Sequence, residues 1–379
     1  MHSKFITAVS FVLIILLGIG CSSKNTSPSQ TKVTVLKKYQ TIVSYKDDIL
    51  AKPTFIRYDG KSHLFIYDGH KHQVLELDDH GKVLRTYGQG GRGPGEFLMV
   101  NNIFLTKTHL YVVDGMQYKI SRFTLDGKLD GTMNFGEEGT HAMPPPAPPS
   151  LEVRSKDINN KPFVTQKGNV LLSNITPHGE FQKLYSLIDW KGNTISDMGE
   201  IPKGSTFTMD YDKYHESIDD HKIPAYYKPH AFPIEDKANT GAFYLIYNAY
   251  PKIEKYNRSG QKLWGTNISK TSELDSVTAQ FYHKSNKILE RGKGRIGLKK
   301  YVIGTSGPNG YLYLALGKYY FKNPPHRLWI HEFNNKGKLI RRYKLVSKNV
   351  NLAAIFDIDF AHRRIFVVTG NAAIRAYPF

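Results

Sequence analysis

The densest run of side chains able to do chemistry is TMDYDKYHESIDDH, Thr208–His221. Asp210, Asp212, His215, Glu216, Asp219, Asp220 and His221 all fall inside it. Clustered carboxylates suit Ca²⁺, and His mixed with carboxylate suits Zn²⁺ or a similar ion. The spacing matches neither an EF-hand loop nor HExxH. Asp210, Asp212, His215 and Glu216 therefore stand as candidate metal ligands, against the simpler expectation of a solvated polar insertion.

Other motifs carry less. Gly88-Gln-Gly-Gly-Arg-Gly93 satisfies GxGxxG and follows a strand-like run, but Pro94-Gly95 follows it and no helix opens there. A dinucleotide site needs that helix for its phosphates. The run reads as a glycine turn, with Arg92 and Glu96 fixing it. No GxSxG elbow is present, and Gly304-Thr-Ser-Gly307 lacks the required pattern.

These residues must be positioned by something, and the chain shows what. A short apolar run recurs six times: Leu64–Asp68, Leu110–Asp114, Val170–Asn174, Phe243–Asn248, Leu312–Leu316 and Ile365–Thr369. A second strand-like run and a Gly-containing hairpin turn follow most copies, as at Asp79-His80-Gly81, Asp126-Gly127 and Lys336-Gly337. A preceding strand can be assigned to each: Thr54–Tyr58, Val100–Leu105, Lys161–Thr165, His230–Glu235, Lys300–Gly304 and Ala354–Phe360. The runs are β-branched and aromatic, with little helical periodicity. Repeats of this kind predict stacked supersecondary blocks. The expected fold is all-β, a six-bladed β-propeller with four strands, A to D, in each blade. The sixth copy stops at Phe379 without its outermost strand, and Lys32–Tyr45 is strand-like with no other role. The N-terminal strand is therefore expected to complete blade six and close the ring, removing exposed sheet edges.

This architecture sorts the candidate residues. Asn101, Asn102, Glu235, Asp357 and Asp359 lie on inner strands and could face a central channel, where a Ca²⁺ could be held. Segments 137–150, 200–229 and 266–298 join strand D of one blade to strand A of the next, on the face that also carries the B–C loops. Those loops hold His70, His72, Tyr118, His178, Tyr250, Tyr319, Tyr320 and His326. Aromatic and basic side chains on loops over a rigid scaffold make a candidate ligand-binding face. The Pro-rich stretch Pro144–Pro149 would be stiff and extended.

The N-terminus reads as an address. Lys4 precedes the nearly unbroken apolar run Phe5–Leu17, too short for a membrane span. Residues 1–20 are expected to be a signal peptide. Cys21, the single cysteine, closes that run and cannot form an internal disulfide. Residues 21–31 are polar and Ser-rich and read as a flexible tether, leaving 32–379 for the propeller. The formal net charge is +19. Such an excess would suit nucleic acid in a cytoplasmic protein. Export points instead to an envelope protein, a glycan or lipid headgroups, with no nucleic acid.

Two resemblances sharpen this. The stretch ending at Cys21 resembles a bacterial lipoprotein lipobox, with Gly18 where Leu is usual; that implies lipidation of Cys21 and a membrane attachment through the lipid. Tyr87–Gly127 resembles an NHL-type repeat through GRGPGEF (Gly91–Phe97), LYVVD (Leu110–Asp114) and ISRFTLDG. The whole chain looks like the lipid-anchored six-bladed propellers common in Bacteroidetes, described as TolB-like or NHL-like. The resemblance implies fold and a cell-envelope location, periplasm-facing, and transfers no catalytic residue. The reading is a non-enzymatic binding scaffold for a protein or glycan, with no cofactor expected. The rival is a Ca²⁺-dependent hydrolase or lyase at the central channel.

Overall fold

The computed structural model describes residues 31–135, 162–175, 182–290, 294–317 and 326–379. Cys21, His178, Tyr319, Tyr320 and the Pro144–Pro149 stretch lie outside them.

Six blade sheets follow one another along the chain, each built on an antiparallel meander, with strands from the N-terminal segment added to two of them. Blade one is Pro53–Tyr58, Leu64–Asp68, Gln73–Leu77 and Val83–Tyr87. Strands A of blades two to six are Val100–Leu105, Phe163–Val164, Ala231–Glu235, Tyr301–Ser306 and Leu352–Asp359. The apolar repeats are the B strands, fully buried in blades one, four and five. They sit between A and C in the sheet and between neighbouring blades across it, so both faces are apolar. Strand D of blade four, Lys262–Asn267, alternates half-buried and exposed residues, whereas that of blade five, covered by a further strand, has none exposed.

The ring closes through the N-terminal segment, in two places. Gln40–Val43 pairs antiparallel with Ile374–Pro378 as the missing fourth strand of blade six. Val33–Leu36 pairs parallel with strand D of blade five, Leu339–Val346, as a fifth strand. One extended stretch thus spans the outer edges of two blades, with Ile42 and Val43 buried. The single closing strand expected from the sequence is present, and the second pairing adds to it.

Turn chemistry repeats with the blades. In the C–D turns, Asp78, Asp189 and Asn334 each accept two backbone N–H groups within the turn, at 2.8–3.0 Å. The glycine that ends the turn lets it approach strand D of the preceding blade. At Gly81 (φ +86°) a Cβ would collide with the Ile42 carbonyl oxygen of the closing strand.

α-Helices are few, as the sequence led one to expect, and they sit in the insertions. Two D–A insertions carry helices α1, Tyr211–Asp219, and α2, Ser272–Leu289. Their N-caps are Asp210 and Thr271, which accept from Lys213 N–H and Leu274 N–H. Tyr214 and Ile218 of α1 meet Phe281 and Tyr282 of α2 in a small core with Tyr226, Tyr227, Ala249 and Leu298. Leu274 and Val277 seat α2 on blades four and five. No helix among the described residues is long and apolar enough to cross a membrane.

Candidate functional site

Strands A converge on the ring axis, and alternation within them decides what faces it. In blade one Ile56 is buried in the sheet stack, while Phe55 and Arg57 face the axis; in blade two Ile103 is buried, while Asn102 and Phe104 face it. With Phe163, Phe232 and the Tyr301–Gly304 backbone of blades three to five, they line a cavity of about 150 Å³. Most of this lining lies near the starts of strands A. Asn248, just after a B strand, and Lys299, just before an A strand, join it. The cavity therefore opens on the face of the D–A connections, beside the helical cap.

Arg57 dominates its polarity. Its Nη1 donates to Ile56 O at 2.7 Å and its Nη2 to Asn102 Oδ1 at 2.8 Å. Its guanidinium carbon stands 5.7 Å from the Phe104 ring centre, and Phe104 meets Phe163 edge-on at 4.9 Å. Burial lowers the Arg57 pKa, and the charge of Asp357 pulls the other way. Among the described residues no carboxylate lies within ion-pair distance of it.

The inner-strand carboxylates and amides do not gather around a vacant centre. Asn102 Oδ1 is shared by Arg57 and Ile103 N–H. Asp357 accepts Tyr58 N–H and Ile358 N–H, both at 2.9 Å, and so ties blade six to blade one. Asp359 is held by Arg364 at 2.8 Å and His362 at 2.9 Å. Burial would raise its pKa, but those bonds outweigh burial and lower it. Glu235 accepts Gln166 N–H at 2.6 Å and Gly241 N–H at 3.1 Å, and burial pushes its pKa up against them. Glu235 and Asp359 sit at the far ends of their strands, away from Asn101 and Asn102. The donor set does not fit Ca²⁺: the carboxylate oxygens and Asn102 Oδ1 are engaged, Glu235 and Asp359 lie away from the asparagines, and a guanidinium bonds Asn102.

The acidic run of the second insertion is spread over α1. Asp212, His215 and Glu216 lie on its exposed side, and Asp210 caps it with an ion pair to Lys213 at 3.0 Å. No group of three metal-ligating side chains occurs among the described residues.

The described loop candidates ring the same face but do not line the cavity. His72 and Tyr118 occupy equivalent turn positions with φ of 53° and 50°. In each turn the preceding Asp, Asp68 or Asp114, accepts backbone N–H groups from the turn and from the residues that lead into strand A. His70 and His326 are exposed, and Tyr250 packs against the core shared by blades three and four. Gly91–Phe97 folds on itself: Glu96 accepts Gly93 N–H at 2.7 Å and Gln89 Nε2 at 2.8 Å. Phe97 is buried against Phe123. Sequence reasoning missed Arg57 and the phenylalanines; the signal was an aromatic or cationic residue at alternate positions of inner strands.

Residues 44–261 match a family described as 6-bladed beta-propeller (DUF5128). Among solved structures the chain is similar to a protein of Bacteroides fragilis described as exported, at 11% identity and TM-score 0.51, covering 91% of this chain and 99% of that one. It is also similar to virginiamycin B lyase from Staphylococcus aureus, at 13% identity and TM-score 0.47, covering 90% and 99%. A gluconolactonase from Xanthomonas campestris gives 12% identity and TM-score 0.46, covering 90% and 89%. At these identities the likeness is one of fold. No curated protein matches the chain. The family match covers more than half of the sequence and agrees with six four-stranded blades: the chain belongs to the 6-bladed beta-propeller family.

Proposed function

We propose that this protein is a lipid-anchored binding module of the bacterial cell envelope, holding a glycan or protein at the face that bears its insertions. The observation that carries the reading is the coincidence, on one face, of the channel mouth and a folded helical cap with its own aromatic core. Insertions that were merely tolerated would have no need of capped helices seated on two blades. The cavity offers aromatic walls, amides and two cations, Arg57 and Lys299, a composition suited to recognition. Anchoring rests on Lys4, the Phe5–Leu17 run and Cys21, with residues 22–31 as tether. The hydrolase or lyase reading draws no support from the inner strands, whose carboxylates are spent on backbone N–H groups and on Arg364.

The test is retrieval of ligands from envelope extract by the full-length protein. Phe232→Ala at the mouth and Tyr211→Ala on the exposed side of α1 serve as comparison baits. A ligand lost with either variant, at unchanged thermal stability, supports the reading. A ligand retained by both, or none at all, refutes a role for this face. Globomycin-sensitive processing and palmitate labelling lost in Cys21→Ala check the anchor.

A further inference from the structure

We infer that the channel mouth takes a carboxylate-bearing sugar, a uronic acid residue, with its carboxylate on Arg57; this rests on the binding reading above and narrows it. A half-buried guanidinium that faces a cavity is well placed to meet an anion. Arg57 spends two of its five N–H donors, on Ile56 O and Asn102 Oδ1, and no described carboxylate lies within ion-pair distance. The nearest candidate, Asp357, has each oxygen committed to a backbone N–H. The remaining donors form a planar fork that matches a carboxylate.

The rest of the cavity selects the body that carries it. Its volume of about 150 Å³ is room for one six-membered ring. Phe55, Phe104, Phe163 and Phe232 offer apolar surface, and Asn101 and Asn102 offer amides, with Asn102 Nδ2 left over once its oxygen is taken. A pyranose ring presents both C–H faces and hydroxyl edges and uses both kinds of wall. An acidic peptide side chain would leave the aromatic walls and the amides unmatched. A phosphate would use Arg57 and Lys299 but would leave the aromatic walls unmatched.

The test is titration of the purified full chain in detergent with a uronic acid trisaccharide and with its methyl ester, followed by calorimetry and saturation-transfer NMR. The acid is expected to bind at least tenfold more tightly than the ester, with an affinity that falls as salt rises. Arg57→Met should abolish the preference, and Arg57→Lys should restore only part of it. Arg57 makes no ion pair among the described residues, so Arg57→Met should melt close to the wild-type temperature, and a matching melt separates lost binding from misfolding. Equal binding of acid and ester, or a preference that survives Arg57→Met, overturns this inference and leaves the binding face standing. No saccharide binding, with a protein partner that the Phe232→Ala bait loses, overturns it in favour of a protein ligand. Failure of both saccharides, and of every bait, sinks this inference and the reading beneath it together.

Discussion

Arg342 Nη1 lies 3.1 Å from Glu273 Oε1 and 3.2 Å from Oε2, with both side chains more than nine-tenths buried. The same guanidinium donates through Nη2 to Thr31 O at 2.8 Å, and Arg342 N–H donates to Lys32 O at 3.0 Å. One residue thus joins strand D of blade five, the start of α2 and the first described residues of the chain. Removing one partner leaves the other charged and buried, which costs about 3–5 kcal/mol. Arg342→Met and Glu273→Gln should each lower the urea midpoint, and the double variant should lose less than the two combined. Additive losses would mean that the pair is not a unit.

Glu254 sets a pH dependence. Burial would raise its pKa, but Lys252 and Lys262 at 2.6 Å, with Tyr256 and Tyr247 at 2.7 and 2.8 Å, hold it down at about 2. A depressed folded-state pKa means stability that is present above the unfolded value and lost as pH falls through the folded one. The melting temperature of wild type should exceed that of Glu254→Gln by its full margin above pH 4.5, and the margin should shrink towards pH 2. A margin independent of pH would show that the carboxylate is not ionised in the fold.

Gly81 and Gly60 make a matched pair. Both have left-handed φ, +86° and +82°, but a Cβ at Gly60 meets nothing within 4 Å, while one at Gly81 strikes the Ile42 carbonyl. Gly60→Ala should cost roughly 1–2 kcal/mol, the strain of the conformation alone. Gly81→Ala should cost clearly more, measured by denaturant unfolding, because the closing strand must move. Equal losses would mean that the closure is soft.

The closing strand can be removed outright. A chain that begins at residue 44 exposes the edge of Ile374–Pro378 in blade six. It should elute as oligomers or aggregates, since an open edge recruits other strands. Ile42→Ala, which keeps the backbone pairing, should remain monomeric and lose about 2–5 kcal/mol. A stable monomer without residues 31–43 would show that the ring holds without its latch.

The frame was legible because its signals are local. The Leu64–Asp68 and Leu312–Leu316 runs announce B strands, and the Gly turns announce hairpins. Strand A of blade two, Val100–Leu105, lies where the sequence places it. The incomplete sixth repeat even pointed to its partner at the other end of the chain. What escaped depends on distance. Helix α2 carries Leu274, Val277, Phe281 and Ser285 at helical spacing, yet its polar length hid that pattern inside an insertion. The parallel pairing of Val33–Leu36 leaves no local mark. His72 and Tyr118, read as ligand-face residues, also hold equivalent turn positions with positive φ, which the sequence did not announce. Arg57 looks like a surface cation until five inner strands surround it.

The N-terminal latch fixes an order of events. Lys32 and Thr31 wait for Arg342, 311 residues further on in the case of Thr31, and Gln40–Val43 waits for a strand that ends one residue before the C-terminus. A ribosome making this protein releases its first strand early and the partners of that strand last. Until Ile374–Pro378 has been made, five blades can form, but the circle cannot shut, and contacts at this separation form slowly. The unfinished chain is therefore held short of its final state until that strand has been made. On the anchored reading proposed above, that is the interval in which the chain must stay threadable.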